Sequence, residues 1–141
     1  MDHVVYLDAA ARELENLLSG TKSMIIRGAA GRKIPYGRVA QGDVLYLINN
    51  NAEGLVKACC TVKRVIHSDV LTPDASREMI EAHQDALQLT EKQQVRWRGK
   101  RYLVLIEVAG VQPLDPFPID KSRFGNMDDW LPVGSINDVR L

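Results

Sequence analysis

The stretch Leu17-Leu18-Ser19-Gly20-Thr21-Lys22-Ser23-Met24-Ile25-Ile26-Arg27, followed after a basic loop by Gly42-Asp43-Val44-Leu45-Tyr46, decides the fold. Ala11, Leu14, Leu17 and Leu18 recur at helical spacing, with Asp8 as the N-cap. Gly20 stands where a C′ glycine ends a helix. Residues 23–27 then read as a strand, and residues 43–48 as a second, strongly apolar one.

Working outward, residues 3–7 are apolar and β-branched and read as a strand. Asn49-Asn50-Asn51-Ala52-Glu53-Gly54 is a turn, because Asn and Gly tolerate positive φ, and residues 55–65 form the long strand after it. Thr72-Pro73-Asp74 opens a helix, with a capping hydroxyl and proline at the first helical position. Thr90-Glu91-Lys92-Gln93 opens another with capping-box spacing, and Gly99 stops it. Residues 101–108 are a further strand. Pro113, Pro116, Pro118 and Pro132 predict an extended, irregular tail, with a helical turn at residues 135–139. This order predicts an α+β fold and not a parallel doubly wound sheet: a small, partly closed mixed β-barrel flanked by helices. With 141 residues, no repeat and no linker, the chain is expected to be a single domain.

Hydrophobic residues make up 45% and charged residues 26%, the composition of a folded domain and not of a disordered segment. No apolar run approaches the roughly 18 residues of a membrane helix. The opening Met1-Asp2-His3-Val4-Val5-Tyr6 has no cationic region leading into an apolar one, so no signal peptide is expected and the expected compartment is the cytoplasm. Cys59 and Cys60 are adjacent, which makes neither a disulfide framework nor a zinc site. On a strand they face opposite sides and read as structural thiols. His3, His67 and His83 have no metal-ligand spacing, so neither a metal nor a cofactor is expected. Eighteen basic and eighteen acidic side chains cancel, unlike the strongly basic surface of a non-specific duplex binder. The charge is uneven, however: Lys22, Arg27, Arg32, Lys33 and Arg38 fall within one segment that holds no acid.

The loop at residues 28–37 fails the Walker spacing, and no helix follows it as a dinucleotide site requires. It leaves Arg32, Lys33 and Tyr36 with Arg27 at their base, a set suited to phosphate or a nucleotide edge. The competing reading is a solvated hairpin loop. Trp97, near a helix end, reads as core. Phe124 and Trp130 stand in the proline-rich tail near Lys121, Ser122 and Arg123. They suit a stacking wall for single-stranded bases or a plug closing one end of the barrel. The amides of Asn49, Asn50 and Asn51 suit base edges. There is no Gly-x-Ser-x-Gly elbow. Ser23 beside Lys22 is a candidate nucleophile only if burial lowers the lysine pKa.

The segment from Leu17 to Arg27, the Gly42-Asp43 pair and the late strand Lys100-Arg101-Tyr102-Leu103-Val104-Leu105-Ile106-Glu107 together resemble ASCH domains of the PUA-like superfamily. In these a helix ends in Gly-x-Lys, a strand runs to an Arg, and a Gly-Asp pair begins the next strand. The segment Phe117-Pro118-Ile119-Asp120-Lys121 with Trp130 is similar to PUA-like and EVE-type relatives. The likeness leaves out residues 72–99, which read as a helical insertion between the fourth and fifth strands. The resemblance implies a pseudo-barrel with a cleft lined by Lys22, Ser23 and Arg27, and binding of RNA or a modified base. It also brings in N4-acetylcytidine amidohydrolases, whose pattern is Lys-x-x-Thr before the Arg with a later Glu. Lys22 and Arg27 match that pattern, but Ile25 stands at the Thr position, and the later Glu is Glu78, Glu81 or absent.

Three function classes follow. The first is a nucleic-acid-binding module for RNA, a single strand or a modified nucleoside. There Arg27, Arg32 and Lys33 meet phosphate, Lys22, Ser23 and the asparagine turn meet base edges, and Phe124 or Trp130 stacks. The second is a hydrolase on a modified nucleoside or nucleic acid, with Lys22 as acid/base and Ser23 or water as nucleophile. The third is a protein-interaction adaptor that uses the inserted helices. The sequence leaves the oligomeric state open.

Overall fold

The computed structural model describes residues 1–125 and 128–141. The elements are β1 (Asp2–Leu7), α1 (Glu13–Leu18), β2 (Met24–Ala29), β3 (Val44–Asn49), β4 (Leu55–His67), α2 (Pro73–Ala82), α3 (Gln84–Leu87), α4 (Glu91–Trp97), β5 (Tyr102–Pro118) and β6 (Trp130–Gly134), then a 3-10 turn at Ile136–Asp138. The six strands form one sheet in the order β2-β5-β4-β3-β1-β6. Among the described residues only β1 and β3 pair in parallel; the other pairs are antiparallel. The sheet curls into a half-barrel of α+β class, as expected. Its two edge strands, β2 and β6, leave a seam.

The alternation along β2 sorts its neighbours. Ile25 packs inward with Val5, Leu7, Leu14, Leu17, Leu45 and Leu47. Met24 and Ile26 face outward and are covered by Ile80, Leu87 and Trp97 of the helical segment. Each such fully buried aliphatic side chain contributes about 1.5–3 kcal/mol relative to exposure. The outer face of β1 and β3 is closed by Phe117, Leu131, Ile136 and Val139.

Two local expectations are corrected. The tail is not irregular: β5 continues to Pro118 against β4, and residues 130–134 pair with β1 as a sixth strand. The prolines are tolerated because β2 pairs with β5 only over residues 102–107. Beyond that point β5 is an edge, where a missing N–H can face outward. The first helix starts at Glu13, not after Asp8. Asp8 caps a tight turn instead, its Oδ1 accepting Ala11 N–H at 3.1 Å. The helix end is where it was expected, with Gly20 at φ +82°. Thr72 and Thr90 cap α2 and α4, the latter in a full capping box with Gln93. Cys60 is buried and its thiol is pushed up to about 12 by desolvation and by the neighbouring Cys59. No described helix is long and apolar enough to cross a membrane.

Candidate functional site

Arg27 is the inward-facing residue at the end of β2, and it clasps the seam. The residue is only 7% exposed in this position. One guanidinium nitrogen donates to its neighbour Ile26 O at 2.7 Å. The other donates across the gap to Tyr6 O on β1, also at 2.7 Å. Nε lies 3.3 Å from Asp129 Oδ2, just ahead of β6, but is not aligned for a hydrogen bond. Asp129 is itself fixed by Tyr6 N–H, which donates to its carbonyl at 2.9 Å. The Arg27 guanidinium lies 6.0 Å from the Trp97 ring centre and 5.7 Å from that of Trp130. One cation thus holds both edges of the half-barrel between two indoles.

A cavity of about 140 Å³ opens above this clasp. Arg27 and Gly28 form its floor, Trp97, Tyr36 and Tyr102 its walls, and Lys33 and Lys100 part of its rim. Gly28 is required there: a Cβ would stand 2.7 Å from Leu103 Cδ2 and 3.0 Å from Tyr102 O. Tyr36 is locked by donating its hydroxyl to Ser68 O at 2.5 Å, with its ring edge-on to His67 and Tyr102. Arg32 sits over the Tyr36 and Tyr102 rings, 5.6 Å from each centre. Arg96 stacks on Trp97 at 4.4 Å. Among the described residues, no carboxylate lies within ion-pair distance of Arg32, Lys33 or Lys100. Lys33 and Lys100 at the cavity and Arg32 on the tyrosine rings therefore flank an aromatic wall, and Asp129 is the carboxylate among the cavity's lining residues.

A second hollow of about 280 Å³ adjoins the first and is lined by Lys33, Arg38, Phe124 and Trp130. Trp130 is anchored from behind, its indole N–H donating to His3 Nδ1 at 3.0 Å. His3 Nδ1 is thus the acceptor, so the ring proton sits on Nε2 and is donated to Asp43 Oδ2 at 2.8 Å. Asp43 also accepts Ala40 N–H at 2.9 Å and the terminal ammonium at 3.3 Å. Burial alone would raise its pKa, but these donors hold it below the usual carboxylate value. Burial keeps the His3 pKa below 6.5 despite Asp43, and burial lowers that of His67 as well.

That direction fixes a pH dependence. As pH falls below about 6.5 the unfolded chain takes up protons on these imidazoles before the native state does, so folding loses stability. Well above 6.5, where the imidazoles are neutral in both states, the same groups contribute no slope. Denaturant titrations at stepped pH are expected to show stability falling from pH 6.5 downward, and His3→Gln is expected to flatten that limb.

The other expected site residues divide. Lys22 is not in the cleft: it is 2% exposed, its ammonium donating to Leu87 O and lying 3.5 Å from Glu13 Oε2. Burial pushes its pKa down, with Glu13 opposing. Lys22 has the desolvation that a catalytic lysine needs, but its ammonium is committed to structural partners. Ser23 lies in the stretch before β2, its N–H donating to Ala86 O and its carbonyl accepting Val108 N–H, and it lines none of these hollows. Ile25, at the Thr position of the hydrolase pattern, is fully buried. Asn50 lines a small recess of about 80 Å³ beside Arg27 and Trp97, together with Glu13 and Gln93. Asn49 is buried at the end of β3, and Asn51 is spent on Glu53, donating to Oε2 at 3.4 Å and accepting its N–H at 3.2 Å. Lys121 stands over the Tyr6 ring at 4.8 Å, and Arg123 stacks on Phe124 at 5.7 Å.

No family model matches the chain, and neither does any curated protein sequence. Solved structures do match. The crystal structure of ASCH from Zymomonas mobilis superposes with a TM-score of 0.67 at 16% identity, covering 92% of this chain and 85% of that one. A mutant of the same protein gives 0.67 and 16%, covering 92% and 87%. The chain has the ASCH fold. At this identity the likeness is one of fold, with the helical segment α2–α4 lying between β4 and β5. Within this ASCH fold, that segment is more than a peripheral addition: α4 brings Arg96 and Trp97 to the cavity wall. Arg96, Lys100, Tyr102 and Asp129 are the cleft residues that sequence reasoning missed. The Arg96-Trp97 pair, a cation next to an aromatic at a helix end, was the available signal.

Proposed function

We propose that this ASCH-fold chain acts as a single domain that binds RNA or another single-stranded nucleic acid, taking one unstacked base into the aromatic cavity at the barrel seam. The observation that carries the reading is the pairing of Tyr36, Tyr102 and Trp97 walls with Arg32, Lys33 and Lys100, which have no carboxylate partner among the described residues. Single-stranded bases are held by stacking on aromatic rings and guanidinium planes, while cations track the phosphates. Arg32 and Lys33 contact phosphate. Arg27 is the floor of the pocket and the clasp of the barrel and is not a phosphate ligand. A modified base fits the same reading, since a pocket walled on several sides reads substituents.

Fluorescence anisotropy with labelled single- and double-stranded RNA and DNA at low and physiological salt tests this. Arg32→Ala/Lys33→Ala is expected to weaken binding and to reduce the salt slope by roughly 0.7 for each phosphate left without its cation. Both side chains are exposed, so the fold is retained. Binding with unchanged affinity and salt slope in the double variant would remove this loop from the interface.

A further inference from the structure

The cleft continues past Arg96. On the far side of the Arg96-Trp97 stack lies a shelf of about 550 Å³ between α4 and the turn before α1, with Ala10, Ala11 and Val95 as its apolar surface. Val95 is 56% exposed there, facing solvent with no aliphatic cover. Lys92 and Arg96 supply cations along the same helix, and Gln93 and Asn50 line both the shelf and the small recess that joins it to the base cavity. Gln93 is buried, and its Oε1 is consumed by accepting Thr90 N–H at 3.1 Å. Asn50 Oδ1 is likewise consumed by Ala9 N–H at 3.0 Å. What each offers a ligand is its NH2 group. The recess also holds Asp8, Glu13 and Asp129, but Glu13 is paired with Lys22 and Asp129 with Arg27 and Arg96. The shelf beyond it presents apolar surface with Lys92 and Arg96 against the single carboxylate of Asp8.

We propose that this shelf is a second nucleoside subsite. On that view the ligand of the proposed base cavity is a strand, with the linking phosphate at Arg96 and Lys92 and the adjoining nucleoside on Ala10, Ala11 and Val95. The proposal rests on the base-cavity reading above and adds polarity and a minimum length to it. Arg96 is the hinge of the arrangement because it borders the aromatic cavity, the small recess and the shelf. A free mononucleotide fills the aromatic cavity and leaves the shelf empty.

Calorimetric titration with the four ribonucleoside 5′-monophosphates and with short oligo(A) and oligo(U) tests the subsite. The wild type is expected to bind oligonucleotides more tightly than mononucleotides. Val95→Asp, which places a carboxylate on the apolar surface beside the linking phosphate, is expected to weaken oligonucleotide binding by about fivefold, roughly 1 kcal/mol, while mononucleotide affinity stays unchanged. Lys92→Ala is expected to act in the same direction and to shallow the salt dependence. Thermal melts of both variants check that the fold is intact. If Val95→Asp leaves oligonucleotide affinity unchanged, the shelf serves some other occupant, such as a protein or a second copy, and the proposal falls. It also falls if both ligand classes weaken in parallel. Absence of binding to either class by the wild type would instead overturn the base-cavity reading itself.

Discussion

Replacing Arg27 with alanine is expected to destabilise the fold by about 3–5 kcal/mol, the range for removing one partner of a buried charge network. The guanidinium donates to Ile26 O on its own strand and to Tyr6 O across the seam, and it faces both indoles. Alanine leaves the Ile26 and part-buried Tyr6 carbonyls without this donor and opens the contact between β2 and the β1-β6 edge. Arg27→Lys keeps the charge but cannot fork to two carbonyls, so it is expected to recover less than half of the loss. Denaturant unfolding measures both. A cost below about 1 kcal/mol for alanine, the scale of a surface pair, would mean the clasp does not hold the seam.

Replacing Lys22 with methionine carries the second large effect. The side chain is buried, and Glu13 is buried opposite it, its Oε1 also accepting Asp8 N–H at 3.0 Å. Methionine leaves the Glu13 charge without its cation, expected to cost about 3–5 kcal/mol. Lys22→Met/Glu13→Gln removes both charges and is expected to restore most of that stability, since neutral replacement of a buried pair is often tolerated. Equal losses in the single and double variants would show that the lysine acts through packing alone. The sign of the lysine shift adds a check: its pKa lies below 10.5 in the folded state, so in the alkaline range the unfolded chain holds the proton longer and stability rises with pH.

The barrel was legible because strand alternation and helix punctuation in this chain follow local rules. Gly20, Thr72-Pro73 and the Thr90/Gln93 box each act within a few residues of themselves, and each appears where the sequence places it. The sixth strand was not legible. Pro132 argues against a strand until one knows that β6 is an edge paired on one side with β1, which depends on residues far away in sequence. The same distinction governs the cleft. The basic loop with Arg32, Lys33 and Tyr36 is a local feature and could be read directly. Lys22 was misplaced because its partners, Glu13 and Leu87, lie on elements that only the fold brings together. Asp129 was missed for the same reason, since it has no meaning until the seam closes over Arg27.

The most direct test of the account uses the tryptophans. The chain has two, Trp97 and Trp130, which line the aromatic cavity and the adjoining hollow respectively. Single-stranded RNA titrated against intrinsic fluorescence and against the indole N–H resonances therefore reports on the cleft alone. A base entering the cavity predicts saturable quenching and a shifted Trp97 signal, with the same midpoint as the anisotropy curve and a weaker one in Arg32→Ala/Lys33→Ala. Saturable anisotropy with both indoles unmoved would place the nucleic acid elsewhere on the barrel and contradict the account.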